Sequence, residues 1–233
     1  MNKRVRQHYG VVVTSMRLPS MLVLLSLLCC KPSLGQELAK CVPVSERTKE
    51  IGCWILATHP IGQLSKTRMY WYLDSYESRA AAESDKGARG TVLESFGKTW
   101  LMTIDELGRK PPPHGKRVAE IGPLAISAGE QHSVQYMEAI FTPGMMAPAH
   151  LHGGPEAWYT LAGETCLETS DGGVQVGKAG GPAVIVPTGL SMHLTATGTE
   201  QRRALVLILY ESSKPVTTFV HDWTPKGLCK NKP

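Results

Sequence analysis

No aspartate or glutamate occurs in the first 35 residues of this 233-residue chain, although Lys3, Arg4, Arg6, Arg17 and Lys31 all fall there. The formal charge of +5 is therefore local: setting those five aside from the 25 basic side chains leaves 20, against 20 acidic ones. A neutral body lacks the electrostatic footprint of nucleic-acid binding. The chain also lacks an apolar run long enough to span a bilayer comfortably. Met21 to Cys30, which follows the basic start, has instead the length of a signal-peptide core. Ser33 and Gly35 have the small side chains that signal peptidase requires, so residues 1–35 read as a signal peptide and Gln36 as the mature N-terminus, with Met16 as an alternative start. The protein then reads as exported, periplasmic or secreted, with no stable membrane span after cleavage. Two alternatives stay open. An uncleaved anchor is opposed by the short core and the helix-breaking Pro32; a lipid on Cys29 or Cys30 is opposed by the missing small residues ahead of them.

No CxxC spacing occurs either, which argues against a zinc knuckle or a thioredoxin-like redox pair. Beyond the signal stand Cys41, Cys53, Cys166 and Cys229, an even number that suits disulfides in an exported protein. Four cysteines allow three pairings, and the sequence does not choose among them.

Residues 36–108 read as a small mixed α/β unit. Cys53–Ala57, ended by His59-Pro60, and Met69–Leu73 are short apolar or aromatic runs of strand type. Ser78 to Asp85 has a capping serine followed by alanines, which predicts a short helix. Thr91–Ser95 and Lys98–Ile104, around Phe96-Gly97, predict a hairpin or one strand broken at the glycine. Trp54, Trp71 and Trp100 fit core positions better than a ligand groove. The polar, proline-rich stretch 109–116 looks like a linker with a solvated His114. Residues 117–212 carry short strands separated by turns such as Asp171-Gly172-Gly173, which predicts an all-β sandwich or barrel. Residues 213–233 form a tail placed across the outside of that barrel, where His221 reads as a surface residue; His132, ahead of a strand, reads likewise.

The densest chemistry lies in Gly144 to Gly163. His150 and His152 are two apart and Glu156 is four further on, a set of two imidazoles and a carboxylate suited to a divalent transition metal with open coordination positions. The spacing of Gly144, His150, His152, Glu156 and Gly163 matches the first signature motif of the cupin superfamily at every fixed position, and Gly181, Pro187 and Gly189 match the opening of the second. The chain resembles a single-domain metal cupin. That resemblance implies a mainly β fold, a jelly-roll β-barrel with the metal held by those two histidines and the glutamate.

The second motif then departs from the family. Its histidine ligand is due at Met192, whereas the histidine stands one later at His193. Neighbouring side chains on a strand point to opposite faces, so two readings remain. A bulge near Gly189 makes His193 the fourth ligand beside His150, His152 and Glu156, which is the assignment favoured here; a regular strand leaves three ligands and turns Met192 inward as a wall. Trp158 shares the parity of Glu156, so Trp158 and Met192 are the expected pocket residues. Nitrogen and oxygen donors of this kind suit Fe, Mn, Ni, Cu or Zn. The resemblance implies a metal-dependent enzyme of oxygenase or isomerase type acting on a small oxygen-containing molecule, or else a non-enzymatic binder of small ligands with a structural metal or none. Dimers are common among cupins, so a homodimer is compatible with it, though no stretch marks an interface.

Overall fold

Apart from Gly10, the computed structural model describes residues 40–229, so the expected signal peptide and Cys29 and Cys30 lie outside the described residues. Strands β1 (Val42–Pro43), β2 (Gly52–Gln63) and β3 (Arg68–Tyr76) precede helix α1 (Arg79–Asp85). Then come β4 (Gly90–Ser95), β5 (Lys98–Asp105), β6 (Lys116–Ala125), β7 (Gln131–Phe141), β8 (Met146–His152), β9 (Glu156–Ala162) and β10 (Glu164–Thr169). The chain continues through β11 (Val174–Lys178), β12 (Val184–Val186), β13 (Met192–Thr197), β14 (Arg202–Glu211) and β15 (Thr217–Phe219). No helix among the described residues is long and apolar enough to cross a membrane.

The strands form three sheets. One has the order β1-β2-β7-β14-β9-β12, a second β11-β10-β13-β8-β15, and a third β4-β5-β3-β6. The first two face each other and close the barrel: their inner faces share a core that includes Phe141, Trp158, Leu167, Met192, Leu194 and Val206. The third sheet packs on the outer face of the first, where Trp71, Leu73, Trp100 and Ile104 meet Tyr136, Leu205, Leu207 and Leu209. From Ala204 to Leu209 strand β14 thus has no solvent face. Ala204, Val206 and Ile208 belong to the inner core and Leu205, Leu207 and Leu209 to the outer one. An unbroken apolar run is the pattern such a doubly buried strand requires.

These pairings correct the expected division of the chain. The stretch 109–116 does not separate the sheets, because β6 begins at Lys116 and pairs with β3. Likewise β2 belongs to the barrel, paired with β7 from Gly52↔Ile140 to Gln63↔Gln131. Pro60 does not end β2 as predicted. Among the described residues the other partner of that strand, β1, stops at Ile55, so Pro60 lies on an edge stretch where a proline is tolerated. Strand β6 runs unbroken through Gly122, whose hydrogen lies against the Tyr70 ring; a Cβ there would stand 2.5 Å from it.

Local chemistry explains the remaining elements. Ser78 caps α1 by accepting the Ala81 N–H at 3.3 Å. The β4–β5 connection is a two-residue hairpin, with Phe96 at φ 52° and Gly97 at φ 70°. Gly163, at φ 65°, joins β9 to β10 where a Cβ would stand 2.7 Å from the backbone of Arg202. Both its dihedral and its surroundings demand glycine.

If the outer sheet and the barrel are one cooperative structure, damage to either shows in the same transition. Leu73→Ala and Leu207→Ala, each fully buried in the shared core, should each lower stability by about 2–5 kcal/mol. Urea unfolding followed by tryptophan fluorescence and by circular dichroism should give one coincident transition in both variants; two separated transitions would mean independent units.

Candidate metal centre

His150 and His152 lie on β8, a strand the sequence reading passed over because its Pro148 and two alanines lack the usual strand composition. Two residues apart, they project to the same face. Glu156 opens β9, and the tight Gly153-Gly154-Pro155 connection brings it back beside them. At Gly154 a Cβ would stand 1.9 Å from the Leu209 carbonyl oxygen, so only glycine lets the chain pass β14 here. All three side chains are buried, and their ligand atoms lie within 4.8 Å of one another.

Hydrogen bonds fix which ring atoms face inward. His150 Nδ1 lies 2.6 Å from the Pro148 carbonyl oxygen, and His152 Nδ1 lies 2.7 Å from that of Val216. A carbonyl only accepts, so Nδ1 of each neutral ring carries the proton and Nε2 retains its lone pair. His152 Nε2 and Glu156 Oε2 face each other at 3.5 Å, too far apart for a good hydrogen bond, and neither buried atom has another partner. Two unpartnered buried donors with aligned lone pairs are what a coordinated cation satisfies, so the residues present fit a divalent metal.

The charges of this cluster shift one another. Burial holds the His150 imidazole below its ordinary pKa, and the neighbouring His152 adds to the effect. Burial acts the same way on His152, but the Glu156 carboxylate outweighs it and raises that imidazole. For Glu156, burial alone would raise the carboxyl; the charges of His152, His150 and Arg202 overcome it and hold the group low. The carboxylate therefore stays ionised, as a metal ligand must.

His193 does not join this set. Met192 and Leu194 are both in the inner core, while His193, between them, takes the other face and stands opposite Glu168 on β10. The register shift that the family pattern seemed to require does exist, but on the partner strand: Met192↔His150 is followed by Leu194↔Ala147, so the extra residue belongs to β8. β13 is regular, and parity turns Met192 inward. The face that carries His193 also carries Cys166 and Glu168, which hold the tail. Cys166 is bonded to Cys229, and the Glu168 carboxylate accepts the N–H of Lys226 and, at 2.9 Å, that of Leu228. The other disulfide is Cys41–Cys53.

The expected pocket residues are also displaced. Trp158 and Met192 do face inward, but both are packed into the core and neither lines the cavity beside the donor set. That cavity, about 280 Å³, is walled by apolar side chains including Met137, Phe141, Leu194, Val206 and Ile208, and opens near Lys40 and Phe219. Three contributors were missed. Val216 and Thr217 come from the tail, where β15 pairs with β8 at Thr217↔His152; a three-residue strand leaves no periodic signal. Arg202 lines the cavity although it is 1% exposed, and an isolated arginine at a strand start gives no hint of burial. His132, expected at the surface, is buried too, with Nδ1 2.9 Å from the Glu130 carbonyl oxygen, but lies away from this cavity.

By strand order the two facing sheets form a jelly-roll barrel. No protein-family model and no curated protein matches the chain. Among solved structures it is similar to a cupin-like protein of Thermotoga maritima (16% identity over 48% of this chain and 95% of that one, TM-score 0.36). It is also similar to an oxalate oxidase in complex with the substrate analogue glycolate (23% identity, TM-score 0.31). A third similar structure is a DMSP lyase of Ruegeria pomeroyi, at 23% identity over 40% of this chain and 45% of that one, with a TM-score of 0.33. The match with the oxalate oxidase covers 38% of this chain and 46% of that chain, under half its length.

The inward place of Met192 has a direct consequence for stability. Met192→Ala should cost about 2–5 kcal/mol by leaving a core cavity, whereas Met192→Leu, close in volume, should cost less than about 1.5 kcal/mol. Equilibrium denaturation of the two variants checks this; equal and negligible losses would place Met192 outside the core.

Proposed function

We propose that this chain is an exported metal-dependent enzyme of oxygenase or isomerase type, acting on a small oxygen-containing molecule at a divalent transition metal. The observation that carries the metal reading is the pair of unpartnered buried atoms, His152 Nε2 and Glu156 Oε2, 3.5 Å apart beside His150. Fe, Mn, Ni, Cu and Zn all suit this donor set. A bound metal of this kind supplies Lewis acidity and coordination positions open to substrate, water or dioxygen.

The chain's own residues do the rest. Pro148 and Val216 carbonyls hold the two imidazoles in one tautomer and one orientation, the outer-shell support that metal sites depend on. Glu156 is a ligand and not a free base, because the neighbouring positive charges hold its buried carboxyl low and ionised. Phe141, Leu194, Val206 and Ile208 exclude bulk water from the space in front of the donors. The two disulfides support export, since such bonds persist in oxidising compartments.

One observation favours a second reading, a ligand-binding barrel without turnover. Outside the donor set, the charged side chains lining the cavity among the described residues are Lys40 and Arg202, and no further histidine or carboxylate stands there to act as general acid or base. Conversion of a small oxygen-bearing compound by the wild type, lost in His150→Ala, supports the enzyme; tight binding with no conversion supports the second reading.

Elemental analysis of protein purified without chelators tests the metal. About one divalent transition metal per chain is expected in the wild type, with affinity lowered more than about 100-fold in His150→Ala and nearly unchanged in His193→Ala. Metal content that survives His150→Ala would show the ligand assignment to be wrong, and an effect of His193→Ala equal to that of His150→Ala would restore the four-ligand site.

A further inference from the structure

Arg202 is a buried cation with no hydrogen-bonded counter-ion among the described residues. The residue is 1% exposed, its Nε finds no hydrogen bond, and no salt bridge reaches it among the described residues, although the Glu156 carboxylate attracts its charge. Its contacts are the faces of two aromatic rings, Phe141 at 5.2 Å and Trp158 at 5.7 Å. Such stacking orients the planar group but leaves its N–H donors unused. Buried charges are ordinarily paired, and an unpaired one weakens the fold that carries it. Burial lowers the Arg202 pKa to about 10, so the group is still charged near neutrality.

The cavity explains what the fold leaves open. Arg202 lines the same space as His150, His152 and Glu156, and Glu156, the one carboxylate among the described residues of that lining, faces His152 and belongs to the donor set. Lys40, exposed, adds a second positive charge to the lining. Elsewhere the walls are mainly apolar. A planar fork of N–H donors matches a carboxylate geometrically, and the apolar walls match a short hydrocarbon body.

We propose that Arg202 is the anion-recognition residue of this cavity, and that the ligand it selects is a small organic carboxylate whose carboxylate pairs with the guanidinium while its hydrocarbon part lies against Phe141, Val206 and Ile208. The proposal rests on reading the cavity as the place where substrate meets metal, and it narrows the substrate class to carboxylates. Arg202 recognises and positions the ligand and takes no part in bond breaking.

Hexanoate and its uncharged counterpart hexanamide are suitable probes, titrated into the wild type, Arg202→Met and Arg202→Lys near neutral pH and read by calorimetry and tryptophan fluorescence. The wild type should bind hexanoate about tenfold or more tighter than hexanamide. Arg202→Met should lose that preference, and Arg202→Lys should keep part of it. Each titration is run on metal-loaded and on chelator-treated protein. A preference that persists without metal belongs to Arg202 and stands even if the metal reading fails; one that disappears with the metal and ignores Arg202→Met belongs to the metal and overturns the proposal. Thermal unfolding gives a separate readout, because removing a buried charge that has no salt bridge should leave Arg202→Met at least as stable as the wild type. A melting temperature lowered by more than about 10 °C would mark Arg202 as a structural residue and overturn its assignment to a ligand. If Arg202→Met does not fold, equal binding of the two probes by the wild type still refutes the idea.

Discussion

Strand β14 is the constraint on which the rest of the structure depends, because it is buried on both faces. Its inward residues complete the barrel interior and its outward residues seat the third sheet. No single side of that strand is able to change without disturbing one of the two cores. Its ends matter as much as its middle. Arg202 at its start reaches the cavity, the Arg202 backbone excludes a side chain at residue 163, and the Leu209 carbonyl excludes one at residue 154. The two glycines flank β9, so the strand that begins with Glu156 is held at both ends by its packing against β14. The carboxylate is therefore positioned by backbone contacts and not by the histidines it meets.

Much of this was legible from local pattern. The capped helix, the hairpin at Phe96-Gly97 and the clustering of His150, His152 and Glu156 all follow from residues close in sequence. What the sequence hid was long-range. Residues 52–63 pair with 131–141, and nothing in a strand's own composition says whether it will join the sheet next to it or one formed eighty residues later. The proline-rich stretch 109–116 looked like a boundary because it is polar and stiff, yet the outer sheet simply continues past it to β6. The tail was legible as covering the barrel, but the strand inside it, and the carbonyl of Val216 on His152, were not. Backbone groups that support a metal ligand leave no trace in residue identity.

The question of Met192 against His193 shows how a sound premise leads to a wrong preference. Strand parity did favour Met192. The structure contains a bulge, but in β8, where the additional residue falls between Ala147 and His150. A bulge there adjusts the histidine strand to a regular β13, and it does so without moving any β13 side chain to the other face. The place once expected to hold a fourth nitrogen is filled by the thioether of Met192, packed against the inner core.

Substituting an apolar side chain for a fourth ligand changes the electrostatics of the cavity as well as its coordination. With two neutral imidazoles and one carboxylate, a divalent cation would retain one net positive charge. Arg202 contributes another within the same low-dielectric space, where charges are weakly screened. Among the described residues no second carboxylate stands in that lining to balance them. Repulsion between the guanidinium and a bound cation would oppose metal binding, and an anion between them would relieve both. Metal and carboxylate are then expected to bind with positive cooperativity, each raising the affinity for the other by the same factor. Such coupling needs no conformational change: it follows from two positive centres that share one largely apolar cavity with a single carboxylate, Glu156, among its described residues.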